Sequence, residues 1–406
     1  MISIQEASKI IQDHLPEKEI TSAKLQDALG LISAEDILAP EPSPRYTNSA
    51  MDGFALRWDD IRSTSSANPV SLKIVGESQA GIPFQEKLIS GKAVRISTGA
   101  MVAEGADTVV PIEEVEVTGS MVKILQVKKK GQNIRYEGEE FKAGDLLIPK
   151  GMEIHPPQIA LFASVGLSQL SVYARPQAAI IVTGTELVPF DQPVQPWQIR
   201  DSNGIMLSTA LQQSGGSVKA VEKVPDSLDQ TVELLERIME NCNLIILSGG
   251  VSVGPHDHIK EAVQKVGFET LFWRVRIKPG KPLLFAKKEN TLLFGLPGNP
   301  VSAFMCYSYF IHPMIHQLCG KVKTAFPLQA ELQEPIQNKL NRAHLMRVQI
   351  TTNSQGKPIA YPLEKQGSHM ISTIVNANGF ILIDAGVSLY EGELIDAFLF
   401  PWVVTK

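Results

Sequence analysis

The residues best suited to chemistry lie in the run Ser248-Gly-Gly-Val-Ser-Val-Gly-Pro-His-Asp-His258. It follows the apolar segment Leu244–Leu247 and precedes a helical pattern, so Gly249, Gly250 and Gly254 fall at a strand-to-helix turn. Glycine lets backbone N–H groups approach an anion closely, and a helix N-terminus adds a favourable dipole. Pro255 stands where a Walker lysine would, and GxGxxG spacing is absent, so this is no standard nucleotide fingerprint. A tight turn without ligand has the same composition, but its place at the carboxyl end of a strand favours binding.

A second candidate is Trp273-Arg-Val-Arg-Ile-Lys-Pro-Gly-Lys281. On a strand, Arg274, Arg276 and Lys278 would share one face, and Trp273, Val275 and Ile277 the other. A solvated edge strand guarded by basic residues reads the same way. Lys281, after a Pro-Gly turn, favours an anion instead: phosphate or another oxyanion, which arginine can grip in bidentate fashion. Glu186, Asp226 and Asp257 follow three successive strand patterns. Singly each fits a helix cap or a surface charge; together, beside a phosphate pocket, they suggest Mg²⁺. His256 and His258 lack a third zinc ligand. His312 and His316 are separated by Pro313 and have no HExxH glutamate, so they read as core or surface groups. Lys128–Lys130 reads as a solvated turn, and no Ser-His-Asp or catalytic-cysteine pattern is present.

The elements that must position these residues follow from apolar periodicity. Residues 176–320 alternate strand patterns (Ala178–Val182, Val218–Val224, Leu244–Leu247, Leu271–Ile277) with helical ones (Gly204–Gln213, Asp229–Met239, Ile259–Val266), which predicts an open parallel α/β sheet. Asn299-Pro300 supplies an N-cap and N1 proline for a last helix ending near Gly320. Ser3 and Glu6 have capping-box spacing for a first helix, and a second amphipathic helical piece is expected over Leu25–Leu38. Three prolines between Pro40 and Pro44 end the helical region. Short β runs then dominate to about Lys130, including a hairpin of Val115–Val117 with Val122–Ile124, and β texture returns after Pro327.

The 406 residues suggest two to four domains, because single cores rarely exceed about 250 residues. Hydrophobic residues at 44% and charged residues at 20% are an ordinary globular mix. A net charge of −5 argues against bulk attraction to nucleic acid or anionic lipid. No apolar run approaches the roughly 20 residues of a membrane helix, and the opening residues do not read as a signal peptide. Three scattered cysteines form neither a disulfide framework nor a zinc site, so a cytoplasmic location is expected. The residues alone thus reach a phosphate- or nucleotide-binding α/β enzyme, Mg²⁺-dependent, with accessory β domains.

Several segments, taken in order, resemble the molybdopterin molybdenumtransferase family, which includes MoeA and the E domain of gephyrin. They are Asn48–Ala55, Arg95–Ala100 with Gly105–Val110, Thr183–Leu187, Ser248–Gly254, Ile277–Pro282, Gly295–Ala303 and Gly367–Met370. The resemblance implies a multidomain α/β plus β fold. An N-terminal α+β dimerisation region (1–45 and 138–175) would carry an inserted small β domain (46–137). A three-layer α/β domain of molybdopterin-binding type (176–326) and a C-terminal β-barrel (327–406) would follow. It also implies insertion of molybdate into adenylylated molybdopterin with release of AMP, by a homodimer whose sites are shared between subunits, with handover from a molybdopterin adenylyltransferase.

Under that resemblance Asp52, Thr98, Glu186, Asp226 and Asp257 match positions implicated in activity or in Mg²⁺ and substrate binding. Ser248, Gly249, Gly250, Ser252, Gly254, Lys278 and Lys281 are assigned to the substrate pyrophosphate, Arg347 and Ser368 to molybdate. Arg274 matches a basic position of the family, and Pro297 and Pro300 fall in a matching motif. Glu140 stands where relatives often carry Asp, and His258 replaces an aromatic residue. Two other readings share these residues: a molybdopterin adenylyltransferase of the same α/β fold, and a non-enzymatic molybdopterin-binding scaffold. The Asn48–Ala55 motif and the extra domains speak against the first, and the lack of a long linker or fused domain against the second.

Overall fold

The structure, a computed structural model, describes residues 1–251, 258–321 and 327–403. Its centre is a six-stranded sheet in the order Ser217–Val224, Gln177–Thr183, Leu244–Ser248, Thr291–Leu296, Leu284–Lys288, Glu269–Trp273. The first four are parallel, Leu284–Lys288 runs against them, and Glu269–Trp273 pairs antiparallel with it in turn, so the sheet is mixed where an all-parallel one was expected. Alternation explains the three layers. Ala178, Ile180, Leu244 and Ile246 face one core with Leu207, Leu211 and Phe304, whereas Ala179, Ile181, Ile245 and Leu247 face another with Leu235, Ile238 and Val263.

The expected strand Leu271–Ile277 breaks. Arg274 has φ +72°, and its guanidinium lies 3.9 Å from the centre of the Trp273 ring. The edge strand therefore stops at Trp273. Arg274, Arg276 and Lys278 do not form a continuous cation row, because the left-handed residue redirects the chain. Ile277–Lys278 instead pairs in parallel with Ala343–His344.

The first helix, Ile4–Asp13, carries the expected capping box, with Ser3 Oγ accepting from Glu6 N at 3.1 Å. Ile4, Ala7 and Ile11 pack into the α/β core beside Phe310 and Met314, although the sequence division grouped them with residues 1–45. The second expected helix does not form. Leu25–Leu38 holds one 3₁₀ turn (Leu25–Asp27) and the strand Ile37–Leu38, because its apolar side chains serve β pairing. Ile37–Leu38 pairs with Leu146–Ile148, and Ile20–Lys24 with Gln169–Tyr173, so the two distant segments close one core around Phe162 and Val172. Between them lies a six-stranded sheet containing the expected hairpin, with Val117 opposite Val122. Lys128 and Lys130 are engaged in ion pairs with Glu114 and Asp107 rather than merely solvated.

After residue 327, five strands close into a barrel: Ala343–Thr352, Pro358–Pro362, Leu328–Leu332, Leu394–Leu399 and Gly379–Ile383, the last pairing back onto the first. No helix among the described residues is long and apolar enough to cross a membrane.

The last helical stretch runs as Pro300–Cys306, a π-turn at Tyr307–Ile311, and His312–Leu318. His312 Nδ1 lies 2.8 Å from Ser214 Oγ, which is 2.7 Å from Tyr307 Oη. Burial, the neighbouring His316 and Lys321 push His312 down to about 3, while burial and Lys321 push His316 down to about 4. The unfolded chain, with histidines near 6.5, therefore binds more protons than the folded one below that pH. This contribution to stability is present above about pH 6.5 and is lost as pH falls toward 4. Denaturant melts at pH 7 and pH 5 should differ by on the order of 1–2 kcal/mol for each such histidine. The difference should shrink in the His312→Asn, His316→Asn double variant; an unchanged pH slope would remove these groups as the cause.

Candidate active site

Three parallel strands end together at Thr183, Ser248 and Leu296, and a cleft of about 660 Å³ opens there. Its wall includes Thr183, Glu186, Arg200, Asp201, Asn203, Ser248, Gly250, Val251, Pro282, Pro297, Gly298, Asn299, Pro300 and His369. Gly249 has φ +99°, and a Cβ there would lie 2.7 Å from Thr183 O, so this turn admits only glycine. Its N–H is not offered to a ligand as expected, because it donates to Leu296 O at 3.0 Å. Gly250 faces the cleft. Ser252, Gly254, His256 and Asp257 lie outside the described residues.

Asn203 ties the strand ends together. Its Nδ2 donates to Ser248 Oγ at 2.8 Å and to Gly298 O at 2.7 Å. Asn203 Oδ1 and Thr183 Oγ1 are buried without a partner among the described residues, a costly state that a bound ligand would relieve. Sequence reading missed Asn203, Asp201 and Arg200. The only local signal was the helix-start pattern Asp201-Ser-Asn203, and Asp201 Oδ1 does accept from Gly204 N at 2.9 Å.

A second pocket, about 520 Å³, lies between the α/β domain and the barrel. Lys278, Lys281, Arg342, Ser302, Gln366 and Ser368 line it with Gly280, Gly367 and Pro282, and no carboxylate is among its lining residues. Arg347 lies behind it, fully buried. Its backbone N donates to Gln366 Oε1 at 3.2 Å and one guanidinium nitrogen to Lys365 O at 3.4 Å. Nε and the other terminal nitrogen have no partner among the described residues. Burial pushes the guanidinium down to about 10. Burial, reinforced by Lys278, Arg347 and Arg342, pushes His344 down to about 4, a mark of the local positive field.

Lys278 and Lys281 therefore share one pocket with Ser368, contrary to the expected division into separate pyrophosphate and molybdate residues. The two hollows adjoin: Pro282 lines both, and Asn299 Nδ2 donates to Ser368 Oγ at 3.3 Å. Asn299 makes this contact in place of the expected side-chain cap.

Other expected residues lie apart. Asp226 does not line the cleft; its Oδ2 accepts from Thr185 N and Oγ1, both at 3.2 Å. Among the described residues no group of three or more His, Cys, Asp or Glu could hold a metal ion. Arg274 lines neither hollow and is stacked on Trp273. Asp52 Oδ1 accepts from Thr98 N at 2.7 Å and Oγ1 at 3.1 Å. That exposed pair sits on the inserted β sheet, and neither residue lines either hollow of its own chain.

Comparison with known proteins agrees along the whole chain. Residues 2–166 match the MoeA N-terminal region (domains I and II), 179–317 a probable molybdopterin-binding domain, and 329–400 the MoeA C-terminal region (domain IV). A molybdopterin molybdenumtransferase of Haemophilus influenzae is 35% identical over 98% of this chain and 99% of its own. One from Staphylococcus epidermidis is 32% identical over 98% and 95%. The chain belongs to the molybdopterin molybdenumtransferase family. A solved molybdopterin biosynthesis MoeA protein from Pyrococcus horikoshii superposes with TM-score 0.83 at 29% identity, covering 98% of this chain and 99% of that one.

Asn203 gives this family member's cleft a direct test. Asn203→Ala should lower the unfolding free energy by about 1–3 kcal/mol, the cost of orphaning buried partners. Urea unfolding measures it, and a loss under about 0.5 kcal/mol, the scale of a neutral surface change, would show that the strand ends hold without this bridge.

Proposed function

We propose that the chain inserts molybdate into adenylylated molybdopterin and releases AMP, with the organic substrate in the larger cleft and molybdate in the basic pocket. The observation that carries this reading is the adjacency of two unlike hollows: among the described residues one bears carboxylates with Asn203 Oδ1 and Thr183 Oγ1 left without partners, and the other bears three cations and no acid. A dianion offsets the mutual repulsion of Lys278, Lys281 and Arg342. The Asn299–Ser368 contact puts the two reactants side by side, which turns their encounter into an oriented, effectively unimolecular step.

The residues also fit Mg²⁺, which usually takes one or two carboxylates together with substrate phosphate. Glu186 and Asp201 are the carboxylates on the cleft wall, with Asp257 close in sequence to the glycine turn. The ion would neutralise the pyrophosphate as AMP departs. Gly250 and the Ser248 region bound the phosphate end of the cleft, and Asn203 Oδ1 and Thr183 Oγ1 accept donors from the ligand. The Asp52–Thr98 pair completes the site of a partner subunit in a cytoplasmic homodimer, which also receives its substrate from a molybdopterin adenylyltransferase.

Incubation with adenylylated molybdopterin, Mg²⁺ and molybdate should yield AMP and a molybdenum-loaded cofactor; no AMP above the enzyme-free rate would sink the reading. Lys281→Ala and Ser368→Ala should both raise the molybdate requirement, the lysine change by about 10-fold or more because charge-assisted contacts contribute about 1.5–3 kcal/mol. Excess molybdate should restore both. For subunit sharing, mixed dimers of Asp52→Ala and Glu186→Ala chains should regain about a quarter to a half of wild-type activity while each parent stays inactive. Additive, uncomplemented loss would place each site within one chain.

A further inference from the structure

A loop that springs from the wall of the larger cleft carries two exposed aromatic residues that nothing above uses. This ten-residue loop, residues 189–198, lies between the short paired strands Leu187–Val188 and Ile199–Arg200. The base is pinned by Ile199 N to Glu186 O at 3.1 Å and Asp201 N to Val188 O at 2.8 Å. Both ends of the loop are therefore continuous with the cleft wall, where Glu186, Leu187, Ile199, Arg200 and Asp201 all sit. On this loop Trp197 is 72% exposed and Phe190 61%, an arrangement that buries little apolar area and invites an occupant.

Substrate chemistry supplies the occupant. Adenylylated molybdopterin carries two nitrogen heterocycles, adenine and the pterin, each with a flat aromatic ring, yet among the described residues the cleft wall holds no Phe, Tyr or Trp; its one aromatic ring is the imidazole of His369. Flat heterocycles gain about 1–3 kcal/mol per ring from an aromatic face. Among the described residues the exposed aromatic nearest in sequence to the cleft wall is Trp197, two residues before Ile199 and third in the turn closed by Gln198 N to Gln195 O at 2.9 Å. Pro189, Pro193 and Pro196 restrict φ along the loop, so little chain entropy remains to be lost when a ring docks.

We propose that Trp197, with Phe190 beside it in the same loop, is the stacking platform for a heterocyclic ring of the substrate at the mouth of the cleft. The inference rests on the substrate reading above and adds to it the residue that holds the ring. Stacking tolerates either heterocycle, so the ring is identified by experiment.

Tryptophan fluorescence of the full-length protein reads this directly, using AMP in one arm and 6-hydroxymethylpterin in the other, each titrated with Mg²⁺. Trp197 is one of four tryptophans. In the wild-type protein one ligand should quench emission on binding. Trp197→Ala should abolish that quench and weaken the same ligand about 10-fold by calorimetry, while Trp197→Phe should stay within about threefold, because it keeps the aromatic face. The arm that shows the difference names the ring. Equal affinity of wild type and Trp197→Ala for both ligands would overturn the platform while leaving the substrate reading standing. Failure of the wild type to bind either ligand would defeat both. A change in oligomeric mass by light scattering for Trp197→Ala, with ligand affinity kept, would make the loop a protein interface and overturn the proposal.

Discussion

The two-residue parallel pairing of Ile277–Lys278 with Ala343–His344 is the contact on which the basic pocket depends. It joins the α/β domain to the barrel through backbone hydrogen bonds, and it does so immediately before the Pro279-Gly280 turn that presents Lys281. On the barrel side, the strand that begins at Ala343 continues to Arg347, whose backbone exchanges hydrogen bonds with the Gln366 side chain. Gln366 in turn holds the loop that carries Gly367, Ser368 and His369. A small shift of one domain against the other would separate Lys278 and Lys281 from Ser368, and the pocket would lose its cationic wall.

Charge explains why such a pocket is tolerable. Three cations lining one small space repel one another, and two guanidinium nitrogens of the buried Arg347 behind them have no partner among the described residues. Local unfavourable electrostatics of this kind concentrates at sites where a ligand brings the opposite charge. In the larger cleft Asn203 Oδ1 and Thr183 Oγ1 are buried without a partner among the described residues.

The site's parts come from different structural sources. The α/β sheet gathers strand ends at the point where ligands bind in open sheets. The barrel adds Arg342, Arg347 and Ser368, and the inserted sheet holds Asp52 and Thr98 on a face of its own. The basic pocket therefore needs both units: Lys278, Lys281 and Ser302 come from the α/β domain, and Arg342, Gln366 and Ser368 from the barrel.

What the sequence determined by itself is whatever a few neighbouring residues specify. The capping box at Ser3 and Glu6, the alternation in Ala178–Val182 and Leu244–Leu247, and the Val115–Ile124 hairpin all depend on interactions spanning a handful of positions. Ordered motifs along the whole length also carried the family resemblance. Tertiary structure alone decided the rest. Leu25–Leu38 has helical periodicity, yet pairing with residues more than a hundred positions away made it β, because partner strands override a weak intrinsic preference. Leu271–Ile277 looked like one strand, and the left-handed Arg274 split it. The union of Lys278, Lys281 and Ser368 in one pocket, and the bridge from Asn203 to Ser248 and Gly298, join residues 45 to 95 positions apart or more. No local pattern encodes such meetings; they exist only once the sheet and the barrel have packed.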